Sequence, residues 1–161
     1  MPLFEDLLAA FPDVRWNVDV KAEPALAPLL ELIGRTDTWD RVCVGSFSEA
    51  RVVRAQRLAG PRLATSYGTR GVLNLRLRSW GVPAAPRRSA VAAQVPEAQS
   101  GIQVVDRRFV RAAHARGLQV HVWTVNDPGR MHRLLDLGVD GIMTDHIDTL
   151  RKVMEDRGVW V

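Results

Sequence analysis

Apolar positions follow two alternating patterns along the chain. The segment "VRWNVDVK" at residues 14–21 alternates apolar and polar residues, with Asn17, Asp19 and Lys21 on one face, which is typical of a half-buried strand. The segment "ALAPLLELIGR" instead repeats apolar residues every three or four positions, roughly as an amphipathic helix does. Short apolar runs recur at "RVCVGSF", "RLATSYG", "AVAAQVP", "LQVHVWTV" and "DGIMTD". The pattern therefore predicts about six strands separated by helices.

Capping residues mark the ends of several predicted helices. Ser48 and Asp106 precede "EARVVRAQRLAG" and "RRFVRAAHARG", and short polar side chains at such positions accept hydrogen bonds from the first backbone N–H groups. Gly60 and Gly117 end these two segments. An Asn-Asp-Pro sequence at 126–128 opens "GRMHRLLDLG", and "DTLRKVMEDRG" forms the last predicted helix. The stretch at 69–89 is irregular, although its part "GVLNLRLRSWGV" could form a helix.

Strands that alternate with helices predict a parallel sheet with crossover helices. The sequence contains no GxGxxG and no GxxxxGK[ST], so no phosphate-binding glycine motif supports a dinucleotide-binding or P-loop domain. A closed (β/α) barrel needs eight strands and typically about 250 residues, whereas this chain has 161 residues. An incomplete barrel and an open doubly wound sheet are both compatible with the pattern.

The composition is that of a globular domain, with 47% hydrophobic and 25% charged residues, and we expect one domain over residues 1–161. The net charge is +4, but the basic residues are almost all arginines spread along the predicted helices, so we expect no nucleic-acid partner.

No apolar run approaches the roughly 20 residues of a membrane span, and the acidic N-terminus does not resemble a signal peptide. We therefore expect a cytoplasmic location. The single cysteine, Cys43, excludes an internal disulfide and a cysteine-based zinc site.

Polar residues at the carboxyl ends of the predicted strands are the candidates for function, because parallel α/β proteins bind their ligands there. Asp19 and Lys21 share one strand face, which suits a cation ligand beside a phosphate-binding charge; a salt bridge without function is the alternative. Trp123 and Asn126 end a later strand. By its residue type Trp123 is more readily assigned to the core, and Asn126 could serve only to cap the following helix. The four histidines fit no metal-binding spacing.

Four motifs, "RWNVDVK", "GSF", "QVHVWTVND" and "LLDLGVDGIMTD", together resemble the glycerophosphodiester phosphodiesterases over residues 2–150. The resemblance implies a (β/α) barrel that hydrolyses small-molecule glycerophosphodiesters to glycerol 3-phosphate and an alcohol. It also implies a divalent cation, Mg or Ca, and two histidines that act as acid and base. Asp19 matches an acidic metal ligand that is often glutamate in the family, and Lys21 matches the lysine that faces the phosphate. Trp123 matches a tryptophan of the substrate pocket, and Asn126 closes the same strand as a second substrate-binding residue.

The sequence departs from the family at its start. The family begins with a strand that carries His-Arg-Gly, then a Pro-Glu-Asn segment and a second strand with the second histidine, and the first histidine here is His114. We therefore expect an α/β fold that is an incomplete TIM barrel, with about six parallel strands equivalent to family strands three to eight. We expect no catalytic residue in this chain, and cation binding in the complete family enzyme rather than here.

Open sheet edges are a further expectation from this departure. Residues 14–21 and 140–145 would lie at edges with unpaired backbone groups, which predicts a marginal fold, aggregation or closure through another chain. The alternative to an enzyme is a non-catalytic barrel fragment that completes itself as a homodimer or with a separate N-terminal piece.

Overall fold

Strands and helices alternate along the chain, as the hydrophobic pattern predicts. The computed structural model describes residues 2–84 and 90–160. The chain forms two compact units, one comprising Met1–Arg70 with Arg88–Ala90 and the other comprising Gly71–Arg87 with Val91–Val161.

The first unit contains a three-stranded parallel sheet in the order β1-β2-β3. Its elements are, in chain order, α1 (Phe4–Ala10), β1 (Trp16–Asp19), α2 (Leu26–Thr36), β2 (Val42–Gly45), α3 (Glu49–Ala59) and β3 (Ala64–Thr65). A short 3-10 turn, Glu23–Ala25, leads into α2, so that helix begins slightly later than the sequence indicates.

Apolar side chains from both the sheet and its helices form the core of this first unit. The alternation in β1 is confirmed, because Trp16 and Val18 pack against the core while Asn17 and Asp19 are exposed. The buried members of the core are Leu8, Val20, Leu26, Leu30, Ile33, Val42, Val44, Ala55 and Leu63. Burial of these side chains is the main force that holds the helices on the sheet.

The second unit contains another three-stranded parallel sheet, in the order β4-β7-β8, and a two-stranded antiparallel hairpin, β5-β6. Its elements are α4 (Thr69–Ser79, whose first two residues belong to the first unit), β4 (Ala92–Pro96), β5 (Ala98–Gln99), β6 (Ile102–Gln103), α5 (Arg107–His114), β7 (Gln119–Trp123), α6 (Pro128–Leu137), β8 (Gly141–Ile142) and α7 (Ile147–Asp156). The largest fully buried side chains of the second unit are Val95, Val105, Phe109, Val120, Val122, Val125, Met131 and Leu134.

The described residues form eight strands, whereas about six parallel strands were expected. Six of them pair in parallel, but in two sheets of three, and the remaining two form the β5-β6 hairpin. The residues described form no closed barrel. Within each parallel sheet the strands follow chain order, without the reversal that characterises a doubly wound sheet.

Two further expectations concern the irregular stretch and the sheet edges. The helix expected within residues 69–89 is confirmed as α4, whereas the end of that stretch, at 85–89, lies outside the described residues. In the part of the chain that the structure covers, β1 pairs only with β2 and β8 pairs only with β7.

None of the helices within 2–84 and 90–160 has the length and apolar composition that a bilayer crossing requires.

One ion pair in the second unit joins two helices and caps one of them. The Asp106 carboxylate accepts a hydrogen bond from the Phe109 N–H at 2.8 Å, which caps α5, and another from the Arg76 guanidinium at 2.7 Å. Arg76 is only 8% exposed and lies 4.4 Å from the centroid of the Trp80 ring. The hydrogen bond from Arg76 lowers the pKa of Asp106, against an opposing effect of burial.

We predict that Asp106→Asn lowers the free energy of unfolding by about 2 kcal/mol, because the amide keeps the cap but leaves the Arg76 charge without its partner. Asp106→Ala removes the cap as well and should cost about 1 kcal/mol more. Urea unfolding at neutral pH measures both differences.

The same pair predicts a dependence on pH. Because the folded state lowers the pKa of Asp106, its contribution is present above the unfolded pKa, roughly 3.9, and is lost as the pH falls through the folded pKa. The difference in the free energy of unfolding between the unsubstituted protein and Asp106→Asn should therefore become smaller in acid. A difference that stays constant into strong acid would show that the ion pair is not its cause.

Candidate functional site

The predicted acid and lysine pair lies at the carboxyl end of β1, in the first unit. Lys21 Nζ lies 2.7 Å from Asp19 Oδ2, and the lysine and aspartate side chains are 79% and 38% exposed. Lys21 Nζ also lies 5.9 Å from the centroid of the Phe47 ring. An exposed ion pair of this kind contributes at most about 1 kcal/mol to stability, so both side chains can turn to a ligand at little cost.

A hydrogen-bonded network around the buried Ser46 anchors the backbone on which this pair stands. Ser46, 7% exposed, donates a hydrogen bond from Oγ to the Val20 carbonyl at 2.8 Å. Its Oγ accepts one from the Arg51 guanidinium at 2.8 Å, and Arg51 also donates to the Val20 carbonyl at 2.8 Å. Glu23 neutralises Arg51 at 3.1 Å. The network joins the carboxyl ends of β1 and β2, and it holds the residue that lies between Asp19 and Lys21.

The predicted tryptophan lies at the carboxyl end of β7, in the second unit. Trp123 is half-buried and stands in register with Pro96 of β4. The neighbouring residue of the same strand, Val122, is fully buried, so Trp123 lies on the less buried face of the strand, together with His121. The peptide bond between Trp123 and Thr124 is cis. Trp123 is therefore not among the fully buried side chains of the second unit.

The predicted asparagine fastens the end of β7 to the end of β8. Asn126 Oδ1 accepts hydrogen bonds from Thr144 Oγ1 and from the Asp145 N–H, both at 3.0 Å. Its Nδ2 donates to the Asp145 carboxylate at 3.2 Å. A backbone hydrogen bond from the Val125 N–H to the Met143 carbonyl, at 3.0 Å, supports the same junction. These contacts give Asn126 a positioning role in the structure.

Asn126 does not cap the following helix, so that alternative is wrong. The cap of α6 is Asp127, whose carboxylate accepts a hydrogen bond from the Arg130 N–H at 2.7 Å. The aspartate is the better placed of the two residues because Pro128, at the first helical position, directly follows it.

A buried carboxylate that sequence reasoning missed lies directly after β4. Glu97 is 7% exposed, and its carboxylate accepts a hydrogen bond from Arg130 Nε at 2.7 Å and pairs with Arg133 as well. Its backbone carbonyl accepts from the N–H groups of Val104 and Val105, at 2.9 and 3.1 Å. Glu97 therefore closes the base of the β5-β6 hairpin and ties it to α6. The Ser-Gly pair at 100–101 was the sequence signal for this hairpin.

Two histidines of the second unit, His114 and His121, lie near the Asp140 carboxylate. His121 is half-buried, and burial lowers its pKa, against an opposing effect of the Asp140 carboxylate. His114 is exposed and its Nε2 lies 2.8 Å from Asp140 Oδ2. The residue beside His121 in β8 is Gly141, where an added Cβ would lie 2.8 Å from the imidazole. The glycine gives the His121 ring its space.

The described residues do not by themselves fit a divalent cation. Within 2–84 and 90–160 no three histidine, cysteine, aspartate or glutamate residues cluster closely enough to hold a metal ion. Asp19 offers one carboxylate, which already pairs with Lys21, whereas Mg²⁺ and Ca²⁺ take about six or more oxygen ligands.

Parallel strands with crossover helices and polar residues at their carboxyl ends define an α/β protein of the kind that binds ligands at that edge. A model of the glycerophosphoryl diester phosphodiesterase family matches residues 1–149, and the chain belongs to this family. The resemblance inferred from the four sequence motifs is thereby confirmed.

Individual relatives agree with this family membership. The chain is 45% identical to the Mycobacterium tuberculosis protein named "Probable glycerophosphodiester phosphodiesterase 2", in an alignment that covers 99% of this chain and 62% of that protein. It is 28% identical to the glycerophosphodiester phosphodiesterase of Bacillus subtilis, over 76% of this chain and 40% of that one. The chain thus spans less than two thirds of the length of these relatives.

Solved structures of glycerophosphodiester phosphodiesterases share the fold. The enzyme from Parabacteroides distasonis superposes with a TM-score of 0.71 at 19% identity, over 96% of this chain and 63% of that one. A phosphodiesterase from Oleispira antarctica, in complex with the product sn-glycerol-3-phosphate, gives a TM-score of 0.68 at 16% identity, over 93% of this chain and 58% of that one.

We predict that Asn126→Ala lowers the free energy of unfolding by about 1 kcal/mol, because three exposed hydrogen bonds are lost. It should also speed amide hydrogen exchange at Asp145, whose N–H would lose its acceptor. Exchange measured by NMR and urea unfolding test the two effects.

Asn126→Asp distinguishes the hydrogen bonds that Asn126 accepts from the one that it donates to Asp145. The new carboxylate keeps the acceptor for Thr144 and the Asp145 N–H but faces the Asp145 carboxylate. Added salt should therefore recover part of its stability loss, since salt screens the repulsion, and should leave Asn126→Ala unchanged. Equal salt responses in the two variants would contradict the assigned contacts.

Proposed function

We propose that this chain forms the substrate-contacting part of a glycerophosphodiester phosphodiesterase, which hydrolyses glycerophosphodiesters to glycerol 3-phosphate and an alcohol. The observation that carries the proposal is the exposed Asp19–Lys21 pair, with 2.7 Å between Oδ2 and Nζ, in a chain of this family. The expected cytoplasmic location belongs to the same proposal.

Each predicted residue has a proposed role that fits its surroundings. In the first unit, the Lys21 ammonium would offset the negative charge on the phosphoryl oxygens. Asp19 would be one oxygen ligand of a divalent cation in a complete family enzyme, where such a cation polarises the phosphoryl group. In the second unit, Trp123 would form part of the substrate pocket. Asn126 would contact substrate only through its second amide hydrogen, because Oδ1 already accepts two hydrogen bonds.

We propose no residue of this chain as the acid or base. Hydrolysis requires a group that protonates the leaving alkoxide within hydrogen-bond reach, and the His-Arg-Gly motif of the family does not occur in this sequence. His121 is the half-buried histidine on the face of Trp123, but it lies deeper in the strand. We therefore propose that the chain alone turns over substrate poorly or not at all.

A non-catalytic role is the second candidate. The observation that favours it is that β1 and β8, as far as the structure describes them, each pair on one side only. An edge strand can accept another strand through its unpaired backbone groups. A second copy of this chain or a separate N-terminal piece would fill such an edge. Sedimentation equilibrium of the purified chain distinguishes a homodimer from a monomer.

We predict that the chain alone shows little hydrolysis of glycerophosphocholine with Mg²⁺ or Ca²⁺, and that adding a fragment with the family's His-Arg-Gly and Pro-Glu-Asn segments restores it. In the restored enzyme, Lys21→Met should lower kcat/KM by about tenfold or more, because a charge that faces the phosphoryl group is removed. The release of glycerol 3-phosphate measures the rate.

Lys152→Met is the matched control, since Lys152 is the other lysine of the chain and lies exposed on α7. It should leave kcat/KM unchanged. Rapid hydrolysis by the chain alone would contradict the proposed lack of an acid and base. An equal effect of the two lysine substitutions would contradict the role of Lys21.

A further inference from the structure

The β5-β6 hairpin is an uncharged, tightly turned projection in a strongly charged chain. Its residues, Ala98–Gln99 and Ile102–Gln103 with Ser100 and Gly101 between them, carry no charge, whereas a quarter of the whole chain is charged. Ser100 and Gly101 have positive φ angles of 51° and 76°, as the two central residues of a type I′ turn do. The turn fixes the register, in which Gln99 stands opposite Ile102.

Hydrogen bonds and ion pairs hold the base of the hairpin. The Glu97 carbonyl accepts two backbone hydrogen bonds from the residues that follow β6, and its carboxylate pairs with two arginines of α6. The Gln103 side chain donates to the Val105 carbonyl at 3.0 Å. These bonds are directed at the base, so they leave Ile102 at the tip 55% exposed. An apolar side chain exposed on a braced turn is available to contact a ligand.

The hairpin rises from the carboxyl edge of its sheet. It begins two residues after Pro96, which stands beside Trp123 in the register of β4 and β7. This is the edge at which parallel α/β proteins bind ligands. The hairpin and the proposed pocket tryptophan therefore belong to the same edge of the second unit.

We propose that the β5-β6 hairpin contacts the alcohol portion of the phosphodiester and favours alcohols that carry apolar groups. The inference rests on the proposed function. An uncharged hairpin has no cation to offer the phosphate. The glycerol moiety carries hydroxyl groups that need hydrogen-bond partners, and the isoleucine side chain has none. Methyl groups of an alcohol such as choline can instead bury apolar surface against Ile102.

The test is binding to the full chain, measured by isothermal titration calorimetry with glycerophosphocholine and glycerophosphoglycerol as probes. The two probes share glycerol and phosphate and differ only in the alcohol. Ile102→Ala should weaken the binding of glycerophosphocholine about three- to tenfold, because only part of an exposed side chain would be buried by the ligand, and leave the binding of glycerophosphoglycerol unchanged. Leu73→Ala is the matched control, because Leu73 is 56% exposed on α4, and should change neither affinity.

Glu97→Gln tests whether the buried carboxylate positions the hairpin. It should lower the ratio of the two affinities in the same direction as Ile102→Ala, because the hairpin loses its ion pairs to α6. The double variant Glu97→Gln with Ile102→Ala should add little to that loss of selectivity. A purely structural role would instead weaken both probes equally.

The outcomes separate this inference from the proposed function. If Ile102→Ala weakens both probes equally or neither, the hairpin does not contact the alcohol, whatever the hydrolysis assay shows. If the selectivity depends on Ile102 but the restored protein releases no glycerol 3-phosphate, the proposed hydrolysis fails while the contact stands. If the unsubstituted chain binds neither probe, the inference is overturned.

Discussion

Parallel pairing of the strands is the constraint on which the carboxyl edge of each sheet depends. Because β1 and β2 run in the same direction, Asp19 and Gly45 end together, and the loops that follow both strands leave from one side. The same holds for Pro96 and Trp123 in the second unit. Parallel pairing leaves these loops without a tight turn to shape them, since each chain must cross back through a helix. Side chains therefore have to fix the positions of the loops, which the hydrogen bonds between strands do not fix.

Each carboxyl edge is fixed by a polar side chain that bonds to the backbone of another segment. Ser46 and Arg51 hold the Val20 carbonyl in the first unit. Asn126 holds the Asp145 N–H in the second unit. Glu97 differs, because its backbone carbonyl closes the base of the hairpin while its carboxylate pairs with arginines of α6. Ser46 and Glu97 are buried, where a neutral polar group without partners costs roughly 1–3 kcal/mol and a charged one costs more. Because both residues are buried, the fold requires that their hydrogen bonds and ion pairs form.

Local signals in the sequence predicted much of the fold, whereas pairings between distant residues were not predicted. The caps at Ser48 and Asp106 and the alternation in β1 depend on neighbours within a few residues, and a single sequence contains that information. Glu97 pairs with arginines more than thirty positions away, and one acid after a proline gives no sign of that. The hairpin is an intermediate case. The sequence contains its Ser-Gly turn, but each of its strands has two residues, which is too short for a periodic pattern.

The same limit explains why the residues of the candidate site were predicted but not all of their contacts. Asp19 and Lys21 follow each other at a spacing of two, so one strand face brings them together. Asn126 was predicted to contact substrate or cap a helix, because its partners, Thr144 and Asp145, lie nearly twenty residues away in the segment that follows β8. Lys21 and Ile102, the residues proposed to contact substrate, are exposed, while Ser46 and Glu97 are buried and hold the backbone. These buried hydrogen bonds and ion pairs are directional, so they determine the positions of the exposed side chains but not the ligand that those side chains bind. In such a scaffold the ligand can change while the fold is kept.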